Sequence, residues 1–320
     1  LGGWKTLLGF VLAFALLSLF VWRADIDLRA TWEQVKRLDL WRYGAAFVLF
    51  LAALPLRAWR WRLILRGAGI DVDSAEARGR WSGLGALTEL LWLSWFVNGL
   101  LPARLGDLYR ADLLRRNAQI PLSQSLGTLF AERVVDLLSL AGLLLASGVA
   151  SFGLDTRGGL DTVYLGASIL LAFLLLSLLG LWGLGPWLEK KLPARIRPTY
   201  QRFYQAALAV FRAKNAPLIL LGTLSIWLSE GLRLGLVASA MGVPLGVVPL
   251  LFVALLGSLL GNVPALPGGI GVTEAGVTGA LIFMGLPRDL SFAVTNLDRL
   301  INTWFVLTVG AILYAVSKRK

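Results

Sequence analysis

The chain has 320 residues, 57% of them hydrophobic and only 16% charged, with a mean hydropathy of +0.71. Its 31 Lys and Arg outnumber 19 Asp and Glu, giving a net charge of +12. The lack of both Cys and His excludes thiol chemistry, haem or ordinary zinc held through these ligands, and a His general base, and nothing else in the sequence asks for a cofactor or a metal.

Apolar runs of about 20 residues recur from end to end, as polytopic helical membrane proteins require. They predict an all-α polytopic membrane protein, one integral membrane domain over residues 1–320. It should have about six full transmembrane helices and two broken, re-entrant helical hairpins in an inverted internal repeat. The first run, 5–22, lacks a small-residue cleavage site and reads as a retained helix, not a signal peptide. The next span is 43–65, followed by a shorter apolar segment at 83–101 and long spans at 125–150 and 162–184. Residues 187–214 are polar and basic (Lys190, Lys191, Arg195, Arg197, Arg202, Arg212), resembling an amphipathic helix on the cytoplasmic surface. Then come the span 217–241, a Pro/Gly-broken stretch at 247–285, and the span 291–316.

Lys and Arg in loops set orientation. The segments 57–80 and 190–214 and the terminal Lys318-Arg319-Lys320 are basic, whereas 151–161 holds only Arg157 and 242–246 nothing basic. This places both termini on the cytoplasmic side of the cell inner membrane, provided 83–101 dips in from the cytoplasm and 247–285 from outside. The loop 23–42 objects, since Arg23, Arg29, Lys36, Arg37 and Arg42 fall outside. The net charge then reflects cytoplasmic loops and contacts to anionic or zwitterionic lipid headgroups, for which the guanidinium fork is suited; nucleic acid is not an expected partner. A homo-oligomer is compatible with the sequence.

The two broken segments look alike. Asn98-Gly-Leu-Leu-Pro102-Ala-Arg104-Leu-Gly106-Asp107 and Asn262-Val-Pro-Ala-Leu-Pro267-Gly-Gly-Ile-Gly271-Val-Thr-Glu274 each run Asn, Pro, Gly, acid. The spacing from Gly106 to Glu132-Arg133 differs by one residue from that between Gly271 and Asp298-Arg299. Units 83–150 and 247–316 are therefore candidate inverted repeats. Paired broken helices of this kind mark transporter sites near the bilayer midplane.

Charges inside spans cost roughly 2.5–3.5 kcal/mol each on insertion scales, so they need partners or a polar cavity. Glu132, Asp136 and Ser139 share a helix face, and Arg133 is three residues before Asp136, within pairing reach. Glu230 and Arg233 lie three apart in another span; Asn296, Asp298, Arg299 and Asn302 stripe the last. Glu89 stands alone in the first short segment. These charges could simply lock helix packing. Repeated use of buried ion pairs, which rarely stabilise more than apolar isosteres, favours one wall of a two-sided cavity for a charged headgroup. Its carboxylates could also exchange protons. Arg104 and Arg110 either snorkel to the interface or form the cavity mouth, where an anionic headgroup first binds.

Three motifs in order carry a family resemblance: Leu101-Pro102-Ala103-Arg104-Leu105-Gly106-Asp107, Glu132-Arg133-Val134-Val135-Asp136, and Pro267-Gly268-Gly269-Ile270-Gly271-Val272-Thr273-Glu274. Nearly the whole chain resembles the lysylphosphatidylglycerol synthase transmembrane region, the flippase-like domain of the multiple peptide resistance factor and of stand-alone membrane proteins. Asp107 stands where Glu is expected in relatives. Relatives that make lysyl-lipid carry an additional soluble aminoacyltransferase domain; none is recognisable in this sequence, so synthesis is not implied. The resemblance implies translocation of a lipid with a phosphate, aminoacyl or glycosyl headgroup, with ion coupling open. The expected site comprises Asn98, Arg104, Asp107, Arg110, Glu132, Arg133, Asp136, Glu230, Arg233, Asn262, Glu274, Asp298 and Arg299. The alternatives are a membrane-embedded lipid-phosphate transferase or phosphatase, against which stands the lack of an evident Ser nucleophile, and an ion-coupled small-solute transporter.

Overall fold

The computed structural model describes residues 4–72, 83–101, 104–154, 160–212, 214–262 and 267–319, and every regular element among them is helical. The turn residues Pro102, Ala103 and 263–266, residues 73–80 of the first basic loop and Arg157 lie outside the described residues.

In chain order the helices are α1 (Trp4–Arg23), α2 (Leu28–Val35), α3 (Leu40–Gly67), α4 (Leu84–Leu100), α5 (Leu105–Ala118), α6 (Leu122–Phe152), α7 (Leu160–Lys191), α8 (Arg197–Arg212), α9 (Ala216–Ala240), α10 (Val247–Gly261), α11 (Val272–Phe283), α12 (Arg288–Arg299) and α13 (Phe305–Val316). A 3-10 turn at Pro267–Gly269 precedes α11, and a π-helical turn at Leu300–Trp304 joins α12 to α13. α3, α6, α7, α9 and the continuous Arg288–Val316 are long and apolar enough to cross a membrane; α1 and α2, bent by 95°, make a sixth candidate if taken together. The chain is a multi-pass helical membrane protein.

Local sequence explains the boundaries. Asp27 and Asp39 cap α2 and α3, each accepting backbone N–H bonds from the first turn. Pro121 and Pro287 sit at the N-caps of α6 and α12, where a missing N–H costs nothing. α4 and α10, with 17 and 15 residues, fall short of a ~30 Å hydrocarbon core at ~1.5 Å per residue. α4 folds back on α5, and α10 on α11.

The helix α3 continues to Gly67, so Arg57, partly buried, and Arg60, buried, lie within it and not in a basic loop. That removes two charges from the loop count on which the sequence-based orientation leaned. Trp187–Lys191 likewise continues α7, and the remainder of the basic segment forms α8. The apolar face of α8 (Tyr204, Ala206, Ala207, Leu208, Val210) is buried, and the helix packs along α6.

The element order of the first half returns in the second: long helix, short helix, break, short helix, long helix. α3 and α9 pack along each other antiparallel. The Asp39 amide donates to the Ala240 carbonyl at one end, and Arg60 Nη1 donates to Thr223 Oγ1 (3.0 Å) towards the other. Contacts cross between halves in matching fashion: α4 packs on α13 as α10 packs on α6, and α2 on α12 as α8 on α6.

Glycine permits the hairpin tips. At Gly106 an added Cβ would collide with the Ser94 carbonyl oxygen and lie 2.7 Å from Asn98 Oδ1. Gly106→Ala should cost about 1–3 kcal/mol through overpacking, measured as a lowered unfolding midpoint in detergent; an unchanged midpoint would mean α4 and α5 separate freely.

Candidate functional site

Each break has an asparagine at the end of the incoming helix and an acid three residues into the outgoing one, but only the first asparagine bonds across its own break; Asn262 Nδ2 turns back to the Ser258 carbonyl (2.6 Å). In the first, Asn98 Oδ1 accepts from the Gly106 amide (2.8 Å), and its Nδ2 donates to Asp107 Oδ1 (3.2 Å). Asp107 Oδ2 then accepts from Arg133 Nη2 on α6 (2.6 Å). In the second, Glu274 Oε2 accepts from the Gly271 amide (2.6 Å), while Oε1 accepts from Arg299 Nε on α12 (2.7 Å). Arg299 Nη2 also donates to the Gly268 carbonyl (2.9 Å). The shorter Asp107 faces Arg133 while Asn98 meets the backbone amide; the longer Glu274 does both. Arg104 Nη1 donates to Asn262 Oδ1 and so ties the first break to the second.

The sequence expected Arg133 to pair with Asp136, its neighbour on α6. Its ion pair is instead with Asp107 on α5. Asp136 and Glu132 do share a face, as expected, and both turn to Arg60 on α3. Glu132 bridges Arg60 Nη2 (2.8 Å) and Arg110 Nη2 (2.7 Å), and Arg110 lies over the Trp61 ring, 4.6 Å from its centroid. Arg60, Arg110 and Glu132 are almost completely buried. This knot joins α3, α5 and α6. Glu89, which looked solitary, accepts from Ser317 Oγ (2.6 Å) and Arg319 at the end of the chain.

A second knot mirrors the first. Arg233 on α9 reaches Asp298 through Nε (2.8 Å) and Nη2 (3.1 Å), and pairs with Glu230. Glu230 also pairs with Arg57, and Asn302 Nδ2 donates to Asp298 Oδ2 (2.8 Å). The π-helical turn begins directly after Arg299, and such turns recur at functional sites.

Of the two knots, the second borders a cavity. A cavity of about 290 Å3 is lined by Asn98, Arg104, Glu230, Arg233, Asn262, Asp298 and Arg299 among the expected residues, with Arg57, Trp95, Trp227 and Asn302 besides. Arg57 stands over the Trp95 ring, 5.3 Å from its centroid. Glu132, Asp136 and Arg110 are not in this wall; they belong to the closed knot, against the expectation that they face a cavity. Arg133, Asp107 and Glu274 are not part of the wall; they hold the two breaks. Sequence reasoning missed Arg57, Arg60, Trp95 and Trp227. For the arginines the signal was present: Arg57 and Arg60 have the same i,i+3 spacing as Glu230 and Arg233, and both lie inside the expected span 43–65.

Seven arginines (57, 60, 104, 110, 133, 233, 299) and six carboxylates (107, 132, 136, 230, 274, 298) make up these pairings. The excess positive charge falls at Arg104: its Nε is 3.6 Å from Asp107, which Arg133 holds at 2.6 Å. The Arg104 side chain is also among the more accessible of the set, at 34%. Its backbone is left-handed (φ 54°), an uncommon conformation for a residue with a Cβ and one that clusters at functional sites.

Curated relatives match from about half to nearly all of this chain. A UPF0104 membrane protein of Methanocaldococcus jannaschii is 29% identical over 227 residues, covering 70% of this chain and 95% of its own. One from Pyrococcus horikoshii is 21% identical over 340 residues, covering 98% of each. The glycosyltransferase AglD of Haloferax volcanii matches 48% of this chain at 33% identity, over 22% of its own length. The model of the family described as the lysylphosphatidylglycerol synthase TM region matches residues 7–310, and with nearly the whole chain covered the protein belongs to that family.

Proposed function

We propose that the protein is a lipid flippase of the cytoplasmic membrane, moving an amphiphile with a phosphate-bearing headgroup between leaflets. The observation that carries this reading is Arg104, a cation at the junction of the two breaks whose nearest carboxylate is engaged by another arginine. A guanidinium so placed suits a phosphate. The headgroup would cross through the arginine-lined cavity while its chains stay in lipid; no bond is broken, so the protein acts as a carrier, not as an enzyme. Arg57, Arg233 and Arg299 would take turns with the phosphate, and Glu230 and Asp298, the two cavity carboxylates, would meet a headgroup amine or exchange protons.

The antiparallel α3–α9 pair and the exchanged contacts between halves favour an inverted repeat, with both termini cytoplasmic. Trp95 and Trp227 in the cavity wall, with the similarity to AglD, favour a glycosyl group beside the phosphate. Purified protein in vesicles containing headgroup-labelled phospholipids and glycosyl phospholipids should translocate one class faster than protein-free vesicles. No translocation above empty vesicles across such a panel would sink the reading.

A further inference from the structure

Charge around the two breaks is matched one for one, with a single exception that faces the cavity. The wall arginines Arg57, Arg233 and Arg299 hold Glu230, Asp298 (2.8 Å) and Glu274 (2.7 Å) in that order. In the closed knot Arg60 and Arg110 are answered by Asp136 and Glu132. Among the described residues of these pairings, the excess lies in one group: Asp107 serves both Arg133 (2.6 Å) and Arg104 (3.6 Å). Arg104 lines the cavity and Arg133 does not, so the extra cation is presented there. Asn262 accepts from Arg104 Nη1, which answers a hydrogen bond but not a charge. Helix dipoles leave the balance unchanged to first order. At each break the negative end of the incoming helix, α4 or α10, meets the positive end of the outgoing one, α5 or α11.

A ligand that neutralises the cavity therefore carries one negative charge. A phosphodiester does so throughout the neutral range. A phosphomonoester carries about 1.5–2 charges at pH 7, because its second pKa is about 6. The cost of taking an ion out of water grows with the square of its charge, so a dianion gives up about four times the hydration for the same one cation. An ammonium would have to displace an arginine from Glu230 or Asp298, the two carboxylates of the wall. Neutral polar groups meet open capacity instead. Trp227 Nε1 and Thr273 Oγ1, both in the wall, have no hydrogen-bond partner among the described residues. A buried indole N–H and a buried hydroxyl in that state gain from a ligand hydroxyl.

We infer that the cavity selects its lipid by headgroup charge: a phosphodiester monoanion whose remaining part is a neutral polyol or sugar. The phosphate sits at Arg104 and the hydroxyls meet Trp227 and Thr273. Phosphomonoester, diphosphate and amine-bearing headgroups are disfavoured, the first two by excess negative charge and the last by the lack of a free carboxylate. The inference rests on the flippase reading for its phosphate and narrows the headgroups which that reading admits.

Short-chain dihexanoyl lipids, titrated calorimetrically into the protein in a non-ionic detergent, test it. At about pH 8 phosphatidylglycerol should bind roughly tenfold tighter than phosphatidic acid, the effect of one uncompensated charge. At about pH 5 phosphatidic acid carries about one charge, so the gap should close while phosphatidylglycerol binds as before. Phosphatidylethanolamine should bind more weakly than phosphatidylglycerol at both. Glu230→Gln leaves Arg57 without its carboxylate and adds a second free cation to the wall. The affinity ratio at about pH 8 should then move roughly tenfold towards phosphatidic acid. Asp298→Asn supplies the same extra charge if Glu230→Gln does not fold. Phosphatidic acid binding as tightly as phosphatidylglycerol at pH 8 in the native protein overturns the inference. So does a ratio that the folded charge variant leaves unmoved, or phosphatidylethanolamine that equals phosphatidylglycerol. Glycerophosphoglycerol, the same headgroup without chains, should bind far more weakly; equal affinity would make the ligand a water-soluble phosphodiester and overturn the lipid. Binding of none of these lipids removes the phosphate reading itself, whereas binding with the wrong charge preference removes this inference alone.

Discussion

Replacing Arg60 with Met should lower stability by about 3–5 kcal/mol, the cost of leaving buried charge without its partner. Arg60 is the cation to which both Glu132 and Asp136 bind, and its own side chain is 4% exposed. Glu132 keeps Arg110 in the variant, but Asp136 loses its ion pair. The loss should appear as a lower unfolding midpoint in detergent, followed by tryptophan fluorescence. The double variant Arg60→Met with Asp136→Leu should regain most of it, because the Glu132–Arg110 pair is then left whole and an apolar pair fills the gap. An unchanged midpoint in the single variant would show that water reaches this knot and that the charges are not locked between α3, α5 and α6.

Arg104→Gln should do the opposite: little change in stability, and lipid translocation reduced roughly ten- to hundredfold, matching one charged hydrogen bond of about 1.5–3 kcal/mol. The side chain is partly accessible, and Arg133 continues to hold Asp107 when Arg104 is gone. Glutamine is two bonds too short to replace the Arg104 contact to Asn262, but each break keeps its own bonds, Asn98 and Arg133 in the first and Glu274 with Arg299 in the second. Initial rates of headgroup translocation in vesicles, measured for both proteins at matched reconstitution, decide it. Equal rates would remove Arg104 from the path of the headgroup and with it the main support for a phosphate.

The spans, the short helices and the two breaks were legible because hydropathy reports burial in lipid directly, and Pro and Gly report where a helix cannot continue. The acid–Arg motifs were legible as costly. Their partners were not. Arg133 has Asp136 within helical reach, yet pairs with Asp107, because only tertiary packing sets α5 beside α6. Arg57 and Arg60 follow an apolar run and precede further arginines, so charge counting assigned them to a loop. The distinction between them and Arg62 or Arg66 depends on which face of α3 meets α9. The split between a closed knot and an open wall was equally invisible: Glu132 and Glu230 are the same kind of residue in similar spans, and only one borders the cavity.

Arg57 and Glu230 hold matching places, three residues before Arg60 and Arg233, and they touch each other. In a dimer of two identical, oppositely inserted subunits, a residue at that place would face its own copy. Two arginines about 4 Å apart would repel by roughly 4 kcal/mol at an effective dielectric of 20, and two glutamates likewise. Only after duplication can the two copies mutate apart and take opposite signs. On the proposed inverted repeat, this ion pair is open to two distinct halves and closed to a dimer of identical ones.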